Sequence, residues 1–323
     1  MFGSLFVVAL LGLNLSSSAS PLRRDSRTSA PSGCSTVGGS GNYTTIGAAL
    51  NALGSSKADA CIYIQSGTYQ EQLTITYGGR LTLYGQTTNT GSYQQNTVTI
   101  THTISSPQAG SLDASATINV KSKGLSMYNI NVGNGYGPGA QAVAIVGNAD
   151  RLGFYGCQIT GYQDTLYAKA GHHYYAKSLI KGSVDYIFGD ASAWFQDCDI
   201  VSNAPGAITA SSRETDSDPA WYVFDHCNVQ AAPGTSLTGL VYLGRPWRVL
   251  ARVLYQYSTL SDIINAKGWS PMAPNATPLF YEFSNTGAGS NTAGRQYASS
   301  INAAMTKETV LGADYSTWIN SSI

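Results

Sequence analysis

The chain has 323 residues, with 18 Lys and Arg balancing 18 Asp and Glu, so only 11% of it is charged. A charge this sparse and balanced excludes an acidic or basic disordered tail. It also gives no clustered Lys/Arg footprint for neutralising nucleic-acid phosphates. With 43% hydrophobic residues the chain can build a core, and 35 Gly and 21 Tyr against 4 Met favour turn-rich β structure over a helical bundle.

Residues 5–13 (LFVVALLGL) form an apolar run too short to cross a bilayer as a helix, which takes about 20 residues. Small residues follow at 16–20, so 1–19 reads as a secretory signal peptide cut near Ala19, although no Lys or Arg precedes the run. Residues 20–32, with Arg23, Arg24 and Arg27, look like a short unstructured or processed leader, leaving 33–323 as one domain. No other segment is long and apolar enough to be transmembrane. The expected protein is exported and extracellular, with no membrane or nucleic-acid partner. The sequons at Asn42, Asn275 and Asn320 are permissive for glycosylation.

Of the five cysteines, Cys34 and Cys61 would make a sensible disulfide tying down the N-terminus. A helix is expected over 45–53, after Thr44 and ending at Gly54, where it would cap the open end of a β solenoid. Strands are expected at 62–65, 81–84, 98–104 and 116–120. Further on, Phe154-Tyr-Gly-Cys157-Gln-Ile159, Phe195-Gln-Asp-Cys198-Asp-Ile200 and Phe224-Asp-His-Cys227-Asn-Val229 share one pattern. Met127-Tyr-Asn-Ile130-Asn-Val132 and Tyr175-Ala-Lys-Ser178-Leu-Ile180 fit with substitutions, so the fourth slot recurs in steps of 27, 21, 20 and 29. Such a repeat signals a solenoid. Its alternation reads as a strand with one buried face, and the Gly, Asn, Ser and Asp between repeats suit turns rather than crossover helices. The reading is all-β: a parallel β-helix with an inner ladder of Ile130, Cys157, Ser178, Cys198 and Cys227. The Cys spacings are too long for a zinc finger. His172-His173 falls in an expected turn as a solvated pair. A second helix is expected over 298–311.

Asp164 lies seven residues after Cys157, and Asp185 seven after Ser178. Equal offsets in consecutive coils stack at roughly 4.8 Å, and two carboxylates that close leave one protonated at neutral pH. A neutral acid beside an ionised nucleophile suits ester or glycoside chemistry. Gln141, about one coil earlier, and Gln163 could stabilise an oxyanion. Asp is also common in turns, and the spacing alone leaves both readings open.

Gly67-Thr-Tyr69-Gln-Glu71, Gln141-Ala-Val-Ala144, Gly161-Tyr-Gln163-Asp164-Thr-Leu-Tyr167, Asp185-Tyr-Ile-Phe188-Gly189 and Leu243-Gly-Arg245-Pro-Trp247 occur in this order. Together they resemble the pectin methylesterases (pectinesterases), over about 43–315, and the fungal and bacterial members more than the plant ones. The resemblance implies a right-handed parallel β-helix that removes methyl groups from C6 methyl-esterified galacturonan, releasing methanol. It implies Asp185 as nucleophile, Asp164 as proton donor and then base, Gln141 and Gln163 as oxyanion donors, and Arg245 as the group that orients Asp185. Trp247, Phe188, Tyr162, Trp269 and Met272 would line the groove, and Thr117 and Val184 would also reach substrate. Many relatives carry a cysteine where Ser178 stands, so their bridge to the position of Cys198 cannot form here. No metal or organic cofactor is implied; the partner is methyl-esterified pectin and the expected state is a monomer. Rival readings are a polygalacturonase or pectate lyase on the same solenoid, or a catalytically silent pectin-binding β-helix.

Overall fold

In the repeat, the residue before the fourth slot takes a left-handed backbone: Asn129, Gly156, Lys177, Asp197, His226 and Tyr257 have φ between 46° and 57°. A left-handed residue breaks the pleat. The six-residue motif, expected as one strand, is therefore two strands joined by a bend, such as Leu152–Tyr155 and Gln158–Thr160 around Cys157. The computed structural model describes residues 25–323, so the expected signal peptide lies outside the described residues. Among the described residues the strands form three sheets, of ten, seven and eight strands, in which each strand pairs in parallel with its equivalent one coil away. This is the parallel β-helix expected from the repeat.

The coil interior is built from stacks of equivalent residues. Phe154, Tyr175, Phe195, Phe224 and Tyr255 are in register on successive strands. Their ring centroids lie 4.9, 4.7, 4.5 and 4.3 Å apart, in nearly parallel planes. Ile159, Ile180, Ile200 and Val229 form a second stack on the next sheet, all fully buried. At the corner between them lie Cys157, Cys198 and Cys227, each a free, buried thiol. The hydroxyl of Ser178 accepts the N–H of Cys157 at 3.0 Å, and that of Ser258 accepts the N–H of Cys227 at 3.0 Å. Cys34 is bonded to Cys61.

The helices are short: α1 (Ile46–Ala52), α2 (Ser106–Ala109), α3 (Leu112–Ser115) and α4 (Lys307–Leu311). Helix α1 buries Ile46 and Ala49 against the first coil, and its N-cap is Thr45, one residue later than expected. The Glu71 carboxylate accepts the N–H groups of Ile46 and Gly47 at 2.9 and 2.8 Å, which favours the positive end of the helix dipole. Residues 25–31, expected to be loose or removed, pack onto the coil. The Arg27 guanidinium lies 4.6 Å from the Tyr84 ring and donates to Gly85 O at 3.1 Å.

The expected helix over 298–311 is confined to α4. The sheet captures Ala298 as a parallel bridge to Phe280, and Met305 N–H donates to Gln256 Oε1 at 2.9 Å, so the chain stays irregular, with a bend at Asn302 and Ala303, until Thr306 caps α4. The tail packs Val310, Leu311 and Ile319 over the outward Tyr128, Tyr155 and Trp194. His172-His173 opens the strand His172–Ala176 instead of a turn. His173 is fully buried, its Nε2 2.9 Å from Ala170 O, and burial pushes its pKa down to about 4.

Phe195 sits mid-stack with a ring on each side. Replacing it with Ala deletes both contacts and opens a cavity, so Phe195→Ala is expected to lower stability by roughly 3–5 kcal/mol in denaturant unfolding.

Candidate active site

The outward face of the seven-stranded sheet carries one ladder: Thr74, Asn119, Val146, Tyr167, Phe188, Ala210 and Arg245 are partners in register across successive strands. Their neighbours Ile118, Ile145, Leu166 and Ile187 point inward and are fully buried. Asp164 and Asp185 each precede their strand by two residues, and Leu166 pairs with Ile187, so the two carboxylates belong to adjacent coils. A bridge between Gln163 and Val184 and a 3.0 Å bond from Asp164 N–H to Val184 O fix the same register. Both aspartates are left-handed, with φ of 63° and 49°, a region that Asp tolerates better than most side chains. That bend turns each carboxyl out of the strand pleat and toward the ladder.

Arg245 reaches back to Asp185 from two coils further on, past Ala210, whose small side chain leaves a lane. Its Nε donates to Oδ1 at 2.8 Å and an Nη to Oδ2 at 2.6 Å. This planar fork suits a carboxylate, as a Lys could not. The hydrogen bond to Asp185 is also the main cause holding the Arg245 pKa above its ordinary value.

Asp164 has no such partner. It is only 5% exposed, and desolvation, reinforced by the charge of Asp185, pushes its pKa up to about 8. Arg245 and a hydrogen bond from Gln141 oppose the rise without cancelling it. One carboxyl therefore holds a proton at neutral pH while its neighbour is paired with a guanidinium, the asymmetry that acid–nucleophile chemistry needs.

A cavity of about 80 Å³ opens over the pair, lined by Leu112, Gln141, Phe188, Ala210, Trp247 and Met272. Phe188 stacks on Tyr167 at 4.3 Å and Trp247 tilts over it at 5.9 Å, so the floor is aromatic. Met272 is exposed at the rim. Gln163 and Tyr162 are half-buried beside the cavity, as is Val184 on the adjacent coil.

Two expected groove residues are elsewhere. Trp269 is fully buried inside the coil, stacked on Phe280 at 4.2 Å. Gly244 makes the room, since a Cβ there would fall 2.0 Å from Thr209 Oγ1 and 3.2 Å from the Trp269 ring. Thr117 is also fully buried, its hydroxyl donating to Gly133 O at 2.9 Å, so it is spent on the backbone rather than open to a ligand.

Leu112 and Ala210 line the site and Tyr167 underlies Phe188, three residues the sequence alone does not mark for this role. Tyr167 and Ala210 follow from the ladder once the register is known. Leu112 arrives on α3, and its signal was the preceding Ser105-Ser-Pro-Gln108, a capping-box pattern closed by Gly110. Of the sequons, Asn42 and Asn275 are exposed, whereas Asn320 is half-buried with Nδ2 3.4 Å from Tyr128 Oη.

A family model described as pectinesterase matches residues 34–322. A protein of Aspergillus flavus named probable pectinesterase A is 71% identical over 323 residues, covering all of both chains. Pectinesterase A of Emericella nidulans is 64% identical over 316 residues, covering 98% of this chain and 97% of its own. The crystal structure of the pectin methylesterase from Aspergillus niger is 69% identical and superposes with a TM-score of 0.92 over 93% of this chain and 100% of its own. The carrot pectin methylesterase superposes with a TM-score of 0.81 at 28% identity, over 88% of this chain and 96% of its own. Matched by the family model almost throughout, and this similar to relatives along its whole length, the chain belongs to the pectinesterase family.

Proposed function

We propose that the pectin demethylation performed by this chain runs through an acyl-enzyme on Asp185. The observation that carries the reading is the asymmetry of the pair: Asp185 forked by Arg245, Asp164 one coil away and holding a proton. The Asp185 carboxylate attacks the C6 carbonyl of a methyl-esterified galacturonosyl unit. Side-chain amides of Gln141 and Gln163 donate to the oxyanion as charge develops. Collapse breaks the bond to the methoxyl oxygen, which takes the Asp164 proton and leaves as methanol. Asp164, now a carboxylate, takes a proton from water as that water attacks the acyl carbon, which frees the galacturonate acid and restores Asp185. Arg245 holds both oxygens of Asp185 in its fork and aims the carboxylate. Trp247, Phe188 and Met272 offer apolar surface to the sugar and ester.

The proposed setting is extracellular. The apolar run at 5–13 has the length of a signal sequence, and the bond between Cys34 and Cys61 suits an oxidising compartment. Asn42 and Asn275 are the proposed glycan acceptors, being exposed. We take the working form as a monomer, because the chain's own tail covers the apolar outward residues of the ten-stranded sheet.

Incubation with highly methylated pectin is expected to release methanol and acid in equal amounts, and Asp185→Asn is expected to cut turnover by roughly 10⁴-fold with the fold intact by circular dichroism. Retained turnover would remove Asp185 from the nucleophile role. Arg245→Lys keeps the charge but loses the fork; a fall in kcat of about 10²-fold is expected, and an unchanged kcat would show that orientation by the fork is not needed. The pH profile gives a third check. Since Asp164 must carry its proton, kcat/KM should decline as pH rises through about 8. The folded pKa is raised, so the stability this proton contributes is complete below 3.8 and lost as pH climbs through about 8. Asp164→Asn should therefore flatten the decline in Tm across that window; an unaltered decline would place the proton elsewhere.

A further inference from the structure

The segment 105–115 lies over the outward face of the seven-stranded sheet, beside the catalytic pair, as a strap built from α2 and α3. Each of its parts is tied down. Ser105 and Gln108 form a capping box at α2, Gly110 ends it in a left-handed turn, and the Ser111 hydroxyl caps α3. The Asn134 side-chain amide, almost wholly buried, donates to Ile104 O, Ser115 O and Val143 O at 2.9, 3.0 and 3.1 Å, closing both ends of the strap on the Gln141 segment. Ser106 N–H donates to Gln141 O at 2.7 Å. On the far side, Lys169 Nζ holds both oxygens of Asp113 at 2.9 and 2.7 Å. The residue between these anchors is Leu112, and it lines the cavity over Asp164 and Asp185.

Its position along the coil decides what it faces. Trp247 and Met272 come from coils on the Asp185 and Arg245 side of the pair. Leu112 comes from the opposite side, that of Gln141 and Asp164. In the reaction proposed above, the departing alkoxyl oxygen must lie within reach of the Asp164 proton. The alkyl group on that oxygen then points at the apolar surface on the Asp164 side. Leu112 is part of that lining, so each carbon added to the departing alcohol brings it closer to the leucine side chain.

We propose that Leu112 is a specificity-determining residue: the strap holds it against the leaving alcohol, and its side chain restricts the ester to methyl. The inference rests on the esterase reading and names the wall of that same site. The strap supplies rigidity, because a leucine on a loose loop would yield to a longer alcohol.

The test compares kcat/KM on polygalacturonate esterified to the same degree with methanol or with ethanol. The wild type is expected to favour the methyl ester by about tenfold or more, the discrimination one methylene provides in a packed pocket. Leu112→Ala is expected to shrink that ratio about tenfold, through a gain on the ethyl ester, while Leu112→Ile, of equal volume, keeps it. Should the Ala variant fail to fold by thermal unfolding, Leu112→Val serves, with a smaller shift in the same direction. Equal losses on both esters would reduce Leu112 to a packing role and overturn the proposal, as would a wild type indifferent to the alcohol. A wild type that releases no methanol at all would instead overturn the esterase mechanism beneath it.

Discussion

Parallel strands held about 4.8 Å apart by backbone hydrogen bonds place each residue directly over its equivalent in the next coil. Everything else in the molecule follows from that enforced stacking. It is favourable for Phe154, Tyr175, Phe195, Phe224 and Tyr255, whose rings meet face to face in the interior. It is unfavourable for Asp164 and Asp185, which the same register sets against each other on adjacent coils. The fold cannot separate these carboxyls without breaking the ladder that positions them. The repulsion is relieved chemically instead: one carboxyl keeps a proton and the other takes a guanidinium.

The resolution depends on small residues as much as on charged ones. Ala210 stands between Phe188 and Arg245 on the ladder, and a larger side chain would close the lane to Asp185. Gly189, at φ 118°, ends the Phe188 strand where a Cβ would strike Ala168 O at 2.3 Å. A chain only 11% charged thus gathers three of its ionisable groups in one place, where Asp185 raises the pKa of both Asp164 and Arg245.

Much of this was legible because the repeat measures the coil. Once Cys157, Ser178 and Cys198 mark equal positions, the offset of seven locates both aspartates on adjacent coils, and the β-helix follows from the spacing. The bend inside each repeat was not legible, because hydropathy records burial and not the sign of φ at Asn129 or Asp197. The interior place of Trp269 was not legible, since an aromatic residue near such a motif reads as a sugar platform; only the missing side chain at Gly244 shows that it fits inside. The strap leaves no periodic signal, because helices of four residues are too short to show a hydrophobic period. In the tail, the propensity of 298–306 for helix lost to a sheet edge that could take Ala298 as a partner, a tertiary contact no local window contains.

The corner ladder of free thiols carries a consequence for heat and time. While folded, burial holds Cys157 up at about 12 and pushes Cys227 up as well, and all three thiols are shut away from solvent. Unfolding exposes them to water, where a fraction becomes thiolate, within reach of the one bond between Cys34 and Cys61. Exchange then competes with the slow re-registering of a long parallel solenoid, and mispaired chains are lost from the cycle. For such a molecule the useful measure of durability is how seldom it opens rather than how strongly equilibrium favours the closed form, and each stacked coil that slows opening protects the chemistry of its cysteines along with its own packing.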